Sequence, residues 1–473
     1  MRRVARAAIL LLAGALTGCT LAPRYRAPDS APAPSAYREA GDWQPAAPKD
    51  ATARGEWWTL FQDPELDALE SKVAAANQNL KAALARLAQA KAATRIARAD
   101  LVPTLTVGSS AVRQRVSQNS PTYLPGYDPT FNNFDLQADL SYEIDLFGRV
   151  RSAVNAARAS EQASAADLAS VDLVLRAELA TDYFTLRSQD AEQELLDRTV
   201  EDYSSALQLT RQLYHGGAAA VADVDQAQAQ LETARTQAAD IKLARAQTEH
   251  AIAVLVGENP STFHVGANPL PENTVPPAID PGLPSTLLER RPDVAAAERR
   301  VAAANAEIGI ARAAFFPVFS LSASAGYDSI HSATWLEAPS RLWSAGPAGV
   351  LTVFDAGRHR AQSAQAHAQY DEQVADYRNT VLSAYQEVED NLAALHRLEQ
   401  ESVSELAAVS ATARALEQAR YRYKAGLVTY LEVATTETTA LQAQLTRVSI
   451  LNRRMTASVL LVRALGGGWR AGT

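Results

Sequence analysis

The chain has 473 residues, 47% of them hydrophobic and 21% charged, with a formal net charge of −8 at pH 7. That length allows a large buried core, and the acidity argues against a nucleic-acid partner, which needs a basic surface to neutralise phosphates. The one cysteine, Cys19, excludes an intramolecular disulfide.

The chain opens with Arg2, Arg3 and Arg6, an apolar run from Ala7 to Leu16, and then Leu16-Thr17-Gly18-Cys19. A basic start, a short apolar run and small residues make a secretory signal over residues 1–18. Its end resembles a bacterial lipobox, and this implies cleavage before Cys19 and acylation of that residue, palmitate included. The competing reading is an ordinary signal followed by a chance cysteine. One acyl chain holds a protein to a bilayer only reversibly, and stable anchoring takes two signals. Thr20 stands where an Asp would favour retention in the inner membrane, which fits outer-membrane sorting. Residues 19–60 are rich in Pro and Ala (Pro23, Pro28, Pro32, Pro34, Pro45, Pro48) and read as an extended, lipid-anchored tether. No later stretch has the roughly 20 apolar residues of a membrane helix, so a mature chain that crosses a membrane must do so with strands.

From there the chain reads as two copies of one unit, residues 61–270 and 271–473, and duplication takes precedence over local detail. Ala97-Arg98-Ala99 and Pro103 recur as Ala311-Arg312-Ala313 and Pro317, an offset of 214 residues. Tyr214, Gly217, Asp223 and Val224 recur as Tyr423, Gly426, Glu432 and Val433, an offset of 209. In the first unit, Leu105, Val107 and Ala111 alternate weakly. Phe134 to Leu146 then alternates without a break: Phe134, Leu136, Ala138, Leu140, Tyr142, Ile144 and Leu146 on one face, Asp135, Gln137, Asp139, Ser141, Glu143 and Asp145 on the other. Period-two alternation predicts strands with one greasy and one wet face, suited to a membrane barrel or to the edge of a soluble sheet.

Residues 149–215 contain neither Gly nor Pro and predict one helix of about 100 Å, which turns at Tyr214-His215-Gly216-Gly217 and returns over 221–256. In the second unit the strands fall near Phe319–Tyr327 and at 342–354, where Pro347 makes the poorer strand. The second long helix is 358–425, its turn Tyr423-Lys424-Ala425-Gly426, and its return 430–465. Helices of this length pack as coiled-coil-like rods. Four strands cannot close a barrel, because bacterial outer-membrane barrels begin at about eight, and open edges are forbidden in lipid. Several chains must therefore share one barrel.

Trp57-Trp58-Thr-Leu-Phe61-Gln-Asp63-Pro64-Glu-Leu66, Tyr142-Glu-Ile-Asp-Leu-Phe-Gly-Arg149, and Leu288-Glu-Arg-Arg-Pro-Asp293 through Glu298, Ile308-Gly309 and Phe316-Pro317 resemble the outer-membrane factor family of efflux pumps. This is the TolC type, and most of all its lipoprotein branch related to OprM and NodT. The resemblance runs from residue 1 to 469. It implies a mainly α fold with a small membrane β part, closed by trimerisation into a twelve-stranded β-barrel above a periplasmic α-barrel. It also implies an equatorial belt from residues around 257–290 and the chain ends. The implied partners are two further copies, outer-membrane lipid, a periplasmic adaptor and an inner-membrane transporter of the resistance-nodulation-division class; the implied role is drug or small-compound efflux. No cofactor, metal or enzymatic activity is implied, and no HExxH, Walker loop or GxGxxG occurs.

Asp135, Asp139 and Glu143 face the barrel lumen if the apolar face meets lipid, and favour cations there. The resemblance carries Asp223, Tyr423 and Glu432 onto positions of a periplasmic gate; the simpler reading of the two acids is a favourable charge at a helix start. Gly217, Ala218, Gly426, Leu427 and Val428 match adaptor-contact tips, or are plain helix turns. Val428 and Thr435 stand where some relatives carry an arginine latch and a second acidic residue, so the gate is expected to be poor in salt links. His359 and His367 are expected on a solvated helix face. The aromatics Tyr123, Tyr127, Phe131, Trp335 and Trp343 fit a membrane-interface belt or loop packing. Among rivals, a periplasmic adaptor has one hairpin and an envelope coiled coil lacks the strand; a type I secretion duct shares the architecture, and the lipobox and tether favour efflux over it.

Overall fold

The computed structural model describes residues 20–30, 34, 36–40, 55–121, 123–126, 128–279 and 290–469. The signal segment, Cys19, Tyr127 and most of the tether lie outside these residues. The elements are α1 (Pro64–Ala76), α2 (Gln78–Ala99), β1 (Thr104–Arg115), β2 (Thr130–Ile144), α3 (Arg149–His215), α4 (Val221–Leu255), α5 (Pro292–Ala313), β3 (Val318–Ser329), β4 (Arg341–Val350), α6 (Arg358–Lys424) and α7 (Tyr430–Ala464). The long helices α3 and α6 each have 67 residues, and the returning helices α4 and α7 each have 35.

Their limits follow from local chemistry. The Asp145 carboxylate accepts the Val150 and Arg151 N–H groups at 3.2 and 2.9 Å. The Asp355 carboxylate accepts those of Gly357 and His359 at 2.9 and 2.8 Å. Each acid satisfies donors left open at a helix start, which is the physical content of Asp145-Leu-Phe-Gly-Arg149 and its counterpart Asp355-Ala-Gly-Arg358. At the other ends Gly217 and Gly426 take φ of 75° and 72°, the left-handed backbone that closes a helix at little cost only for glycine.

The chain forms two compact units. One comprises residues up to Asp29, Arg86–Ala165 and Ala296–Tyr377. It holds an antiparallel sheet in the order β1-β2-β3-β4. Leu105 pairs with Leu140, Phe134 with Ser329, and Phe319 with Gly349. Residues 20–25, read as tether, have no regular structure but are fastened. Tyr25 donates to the Glu298 carboxylate, Asn305 Nδ2 donates to the Pro23 carbonyl at 2.9 Å, and Gly309 lies so close under Ala22 that a Cβ would sit 2.9 Å from its Cα.

The strand expected at 342–354 ends at Val350. The reason is the partner: β3 begins at Val318, which pairs with Val350, and residues 351–354 have nothing further to bond. Val353 and Phe354 are left 91% and 86% exposed.

The other unit comprises Ser30–Ala85, Ala166–Ala295 and Arg378 onward. Asp63 caps α1 by accepting from Glu65 and Leu66 N–H at 3.1 and 3.3 Å, and it also receives Tyr183 OH at 2.8 Å and the Arg187 guanidinium. Arg187 Nε reaches the Asn268 carbonyl at 2.9 Å, and the Arg187 carbonyl accepts Leu270 N–H at 2.9 Å, so the segment after α4 is laid along α3. Arg291 of the Arg-Arg-Pro-Asp motif is buried and donates to Glu387, Asp293 and the Ala464 carbonyl, joining three stretches of chain. The fully buried Glu70 pairs with Arg176, which lies over the Trp58 ring at 4.3 Å; burial pushes the Glu70 carboxyl up to about 8. No helix among the described residues is long and apolar enough to cross a membrane.

Candidate functional site

The sheet is the first candidate. Residues directly opposite one another share a face. The face of Asp135, Gln137, Asp139, Ser141 and Glu143 therefore continues through Ser110, Gly108, Thr106 and Thr104 on β1 and Asp328, Gly326, Ser324, Ser322 and Ser320 on β3. The opposite face carries Leu105, Val107, Phe134, Leu136, Leu140, Tyr142, Ile144, Phe319 and Leu321, and ends in Trp343, 79% exposed. A wet face and a greasy face thus run unbroken across four strands, and among the described residues the outer edges of β1 and β4 are unpaired. The acids of the wet face are not alike. Glu143 is held by both arms of Arg149, at 2.8 and 2.6 Å, and its charge is compensated. Asp135 lies opposite Asp328, so the field on that face comes from Asp135, Asp139 and Asp328. The Trp335 ring packs at a tilt against Phe134, with centroids 5.7 Å apart. His359 is not on a solvated face: it bonds Asp355 at 3.1 Å and packs edge-on against Phe315.

The two hairpin turns are the second candidate. Asp223 accepts the Ala220 N–H at 3.1 Å, a helix-start contact. Glu432 pairs with Arg422 at 2.6 Å. Tyr423 OH lies 3.4 Å from Thr210 Oγ1, and its ring meets Tyr430 edge-on at 5.5 Å. Asp223 and Glu432 are each half-buried within their own turns. Gly217, Ala218, Gly426 and Leu427 are exposed, Leu427 at 68%. Val428 is half-buried.

Behind the turns lies a network that sequence reasoning missed. Arg420 donates to Glu437 at 2.8 Å and to Asp202 at 3.1 Å. Gln230 donates to Glu437 at 3.2 Å and accepts from Tyr430 OH at 3.2 Å. Tyr203, Leu207, Leu231, Val433 and Ala434 pack around it. Glu437 is 2% exposed, and burial raises its carboxyl above the usual range even with Arg420 beside it. The network ties α3 and α4 of the first repeat to α6 and α7 of the second. Within one chain, Arg422 and Arg420 supply salt links at and behind the turns. Neither was visible, since each reads in sequence as one more polar residue on a long helix. Among the described residues no group of His, Cys, Asp and Glu is placed to hold a metal ion.

Comparison with known proteins agrees with this geometry. The family described as "Outer membrane efflux protein" matches residues 69–258 and 283–467. Outer membrane protein OprJ of Pseudomonas aeruginosa is 35% identical over 471 residues, covering 98% of this chain and 96% of that protein. The toluene efflux pump outer membrane protein TtgF of Pseudomonas putida is 33% identical, covering 97% and 96%. The solved structure of the outer-membrane channel OprN superposes with a TM-score of 0.86 at 31% identity, covering 95% of this chain and all of that one. The amphipathic four-stranded sheet, the paired 67-residue helices and these matches lead to one conclusion: the chain belongs to the outer membrane efflux protein family and has its TolC-like, mainly helical channel fold.

Proposed function

We propose that this chain is the exit duct of a tripartite efflux pump of the resistance-nodulation-division type, passing small compounds across the outer membrane. The observation that carries the reading is the sheet with one wet face, one greasy face and two open edges. Three copies close it into a twelve-stranded barrel with Asp135 and Asp139 toward the lumen, and the helices form the periplasmic part. Relatives named as efflux proteins support efflux over protein secretion. A periplasmic adaptor docks at the turns, where Gly217, Ala218, Gly426 and Leu427 offer small or apolar exposed positions, and an inner-membrane transporter feeds the duct.

Two experiments test the finer parts. Cys19 is the lipid anchor in this account, so Cys19→Ser is expected to abolish incorporation of radiolabelled fatty acid while the barrel retains the protein in the membrane. Undiminished labelling would remove the anchor.

Asp223, Tyr423 and Glu432 are proposed to narrow the periplasmic mouth by contacts between adjacent hairpins. Each bond contributes about 1 kcal/mol, so combined changes are needed. Asp223→Ala with Tyr423→Phe is expected to raise single-channel conductance, and Glu432→Ala to lower cation selectivity, with helix content unchanged by circular dichroism. Wild-type conductance and selectivity in these variants would leave two helix-start acids and a packing tyrosine.

A further inference from the structure

The greasy face of the sheet is not uniform along its length. The four strands join their helices near Thr104, Ile144, Val318 and Val350, so Arg115, Thr130, Ser329 and Arg341 lie at the other end. Arg113 pairs with Asn132 and Arg115 with Thr130, in step with Ala111 opposite Phe134. Arg341 pairs with Tyr327, which pairs with Leu136. All three arginines therefore belong to the greasy face. Between them and the helices, that face carries no charged side chain on any of the four strands.

Three features set this end apart. The first is height. From Leu105 to Arg115 a strand tilted as barrel strands are rises by about 25 Å, the thickness of the apolar band of an outer-membrane barrel. An arginine facing lipid is costly at the middle of the bilayer and nearly free at its surface, so the far end of the sheet is where these charges can stand. Tyr327, opposite Arg341, and the exposed Trp343 on the same strand bring the amphipathic rings that settle at headgroup level.

The second is charge. Arg113, Arg115 and Arg341 are exposed, and among the described residues no carboxylate pairs with any of them. The acids of this end are placed elsewhere. Asp328 is on the wet face, Asp128 accepts the Thr130 N–H at 2.8 Å, and Glu337 lies in the loop between β3 and β4. All three cations are arginines, whose planar fork gives two parallel hydrogen bonds to a phosphate.

The third is position. β1 and β4 are the outer strands of the sheet, three strand spacings or about 14 Å apart within one chain. Closure of the duct lays β4 of one copy beside β1 of the next, and this brings Arg341 of the one to Arg113 and Arg115 of the other.

We propose that this basic rim, completed between copies, binds the phosphates of the glycolipid that forms the outer leaflet of the outer membrane, one site for each copy, with the acyl chains lying along the greasy face below. The proposal rests on the duct described above, which turns the helices toward the periplasm and the arginines toward the outer leaflet. A phospholipid headgroup is then the wrong source of phosphate, because it belongs to the opposite leaflet.

Lipid binding to the purified full-length oligomer tests this. Delipidated protein in mild detergent is incubated with lipid A, with lipid A stripped of its phosphates, or with phosphatidylglycerol. The lipid kept through gel filtration is counted by native mass spectrometry. Wild-type protein is expected to keep lipid A at close to one per chain and about tenfold less of either other lipid, and added salt should weaken the retention. Arg113→Gln with Arg115→Gln and Arg341→Gln should lose lipid A by about tenfold, whereas lysine at the same three positions should keep most of it. Equal retention of intact and dephosphorylated lipid A by the wild-type protein, a comparison that needs no variant to fold, would overturn the proposal. Undiminished binding in the glutamine variant would do the same, leaving the acyl chains to account for it. Phosphatidylglycerol held as tightly as lipid A would overturn the assignment to the outer leaflet. Each of these results, in protein that light scattering shows to be oligomeric, leaves the duct standing. Protein that is monomeric by light scattering and missing from the outer-membrane fraction would overturn the duct, and the rim with it.

Discussion

Arg420→Ala is expected to free the hairpin ends more than any other single change at the turns. Glu437, 2% exposed, takes both of its charge-assisted bonds from Arg420, which also reaches Asp202. Removing one partner of a buried ion pair strands the other charge, at a cost of about 3 kcal/mol or more. Gln230 alone remains to bond the carboxylate. Amide hydrogen exchange over 419–437 should speed by about a hundredfold, the factor that about 3 kcal/mol implies. The loss should also depend on pH. Without Arg420 the folded carboxyl holds its proton to higher pH than the unfolded one, so the native state carries the extra proton and stability falls as pH rises above the ordinary carboxylate range. Near pH 4.5 the defect should shrink; at pH 8 it should be full. Adding Glu437→Gln removes the stranded charge, retains an acceptor for Gln230, and should recover most of the protection. Wild-type exchange in Arg420→Ala at pH 8 would mean that the network does not hold the hairpins together.

Gly326→Val is expected to prevent assembly. Gly326 sits in the joint between the two repeats, where its backbone approaches Leu136 and Gln137 too closely for any Cβ. The obstructing atoms are main chain and cannot rotate away, so the strain falls at the upper end of overpacking costs, about 3 kcal/mol, and the ladder between β2 and β3 must part. The variant should be missing from the outer-membrane fraction and enriched in periplasmic aggregates. Ala325→Val, the adjacent position on the greasy face, adds a β-branched residue where strands favour one and should reach wild-type levels. Equal outer-membrane levels of both variants would contradict the packing argument.

Much of this fold was legible because the duplication doubled every signal. Gly148 and Gly217, repeated as Gly357 and Gly426, bounded α3 and α6 to within a residue, since a glycine-free, proline-free run leaves a helix no cause to stop. The unbroken alternation from Phe134 located β2, because one face must be dry and the other wet. Helices α1, α2 and α5 went unassigned. The cue for α2 and α5 was the recurrence of Ala97-Arg98-Ala99 as Ala311-Arg312-Ala313, and that for α1 was Leu66, Leu69 and Val73 at helical spacing behind the Asp63 cap. The end of β4 was overestimated because alternation reports side-chain faces and says nothing of whether a partner strand exists. The Arg420–Glu437 network was hidden for a different reason. Asp202, Gln230, Arg420 and Glu437 come from four helices, and no spacing along the chain records that these helices meet. Arg291 stood in a recognised motif, but its role in joining Glu387 to the Ala464 carbonyl belongs to the folded state alone.

Copies of this chain, with no other protein, are expected to complete a membrane pore. Single-channel recording of the purified protein in planar lipid bilayers tests it most directly. Discrete conductance steps with cation selectivity are expected, with a loss of part of that selectivity in Asp135→Asn with Asp139→Asn, whose carboxylates lie on the wet face of β2. A bilayer that stays silent with oligomeric protein inserted, or steps that favour anions and ignore the Asp135 and Asp139 changes, would contradict it.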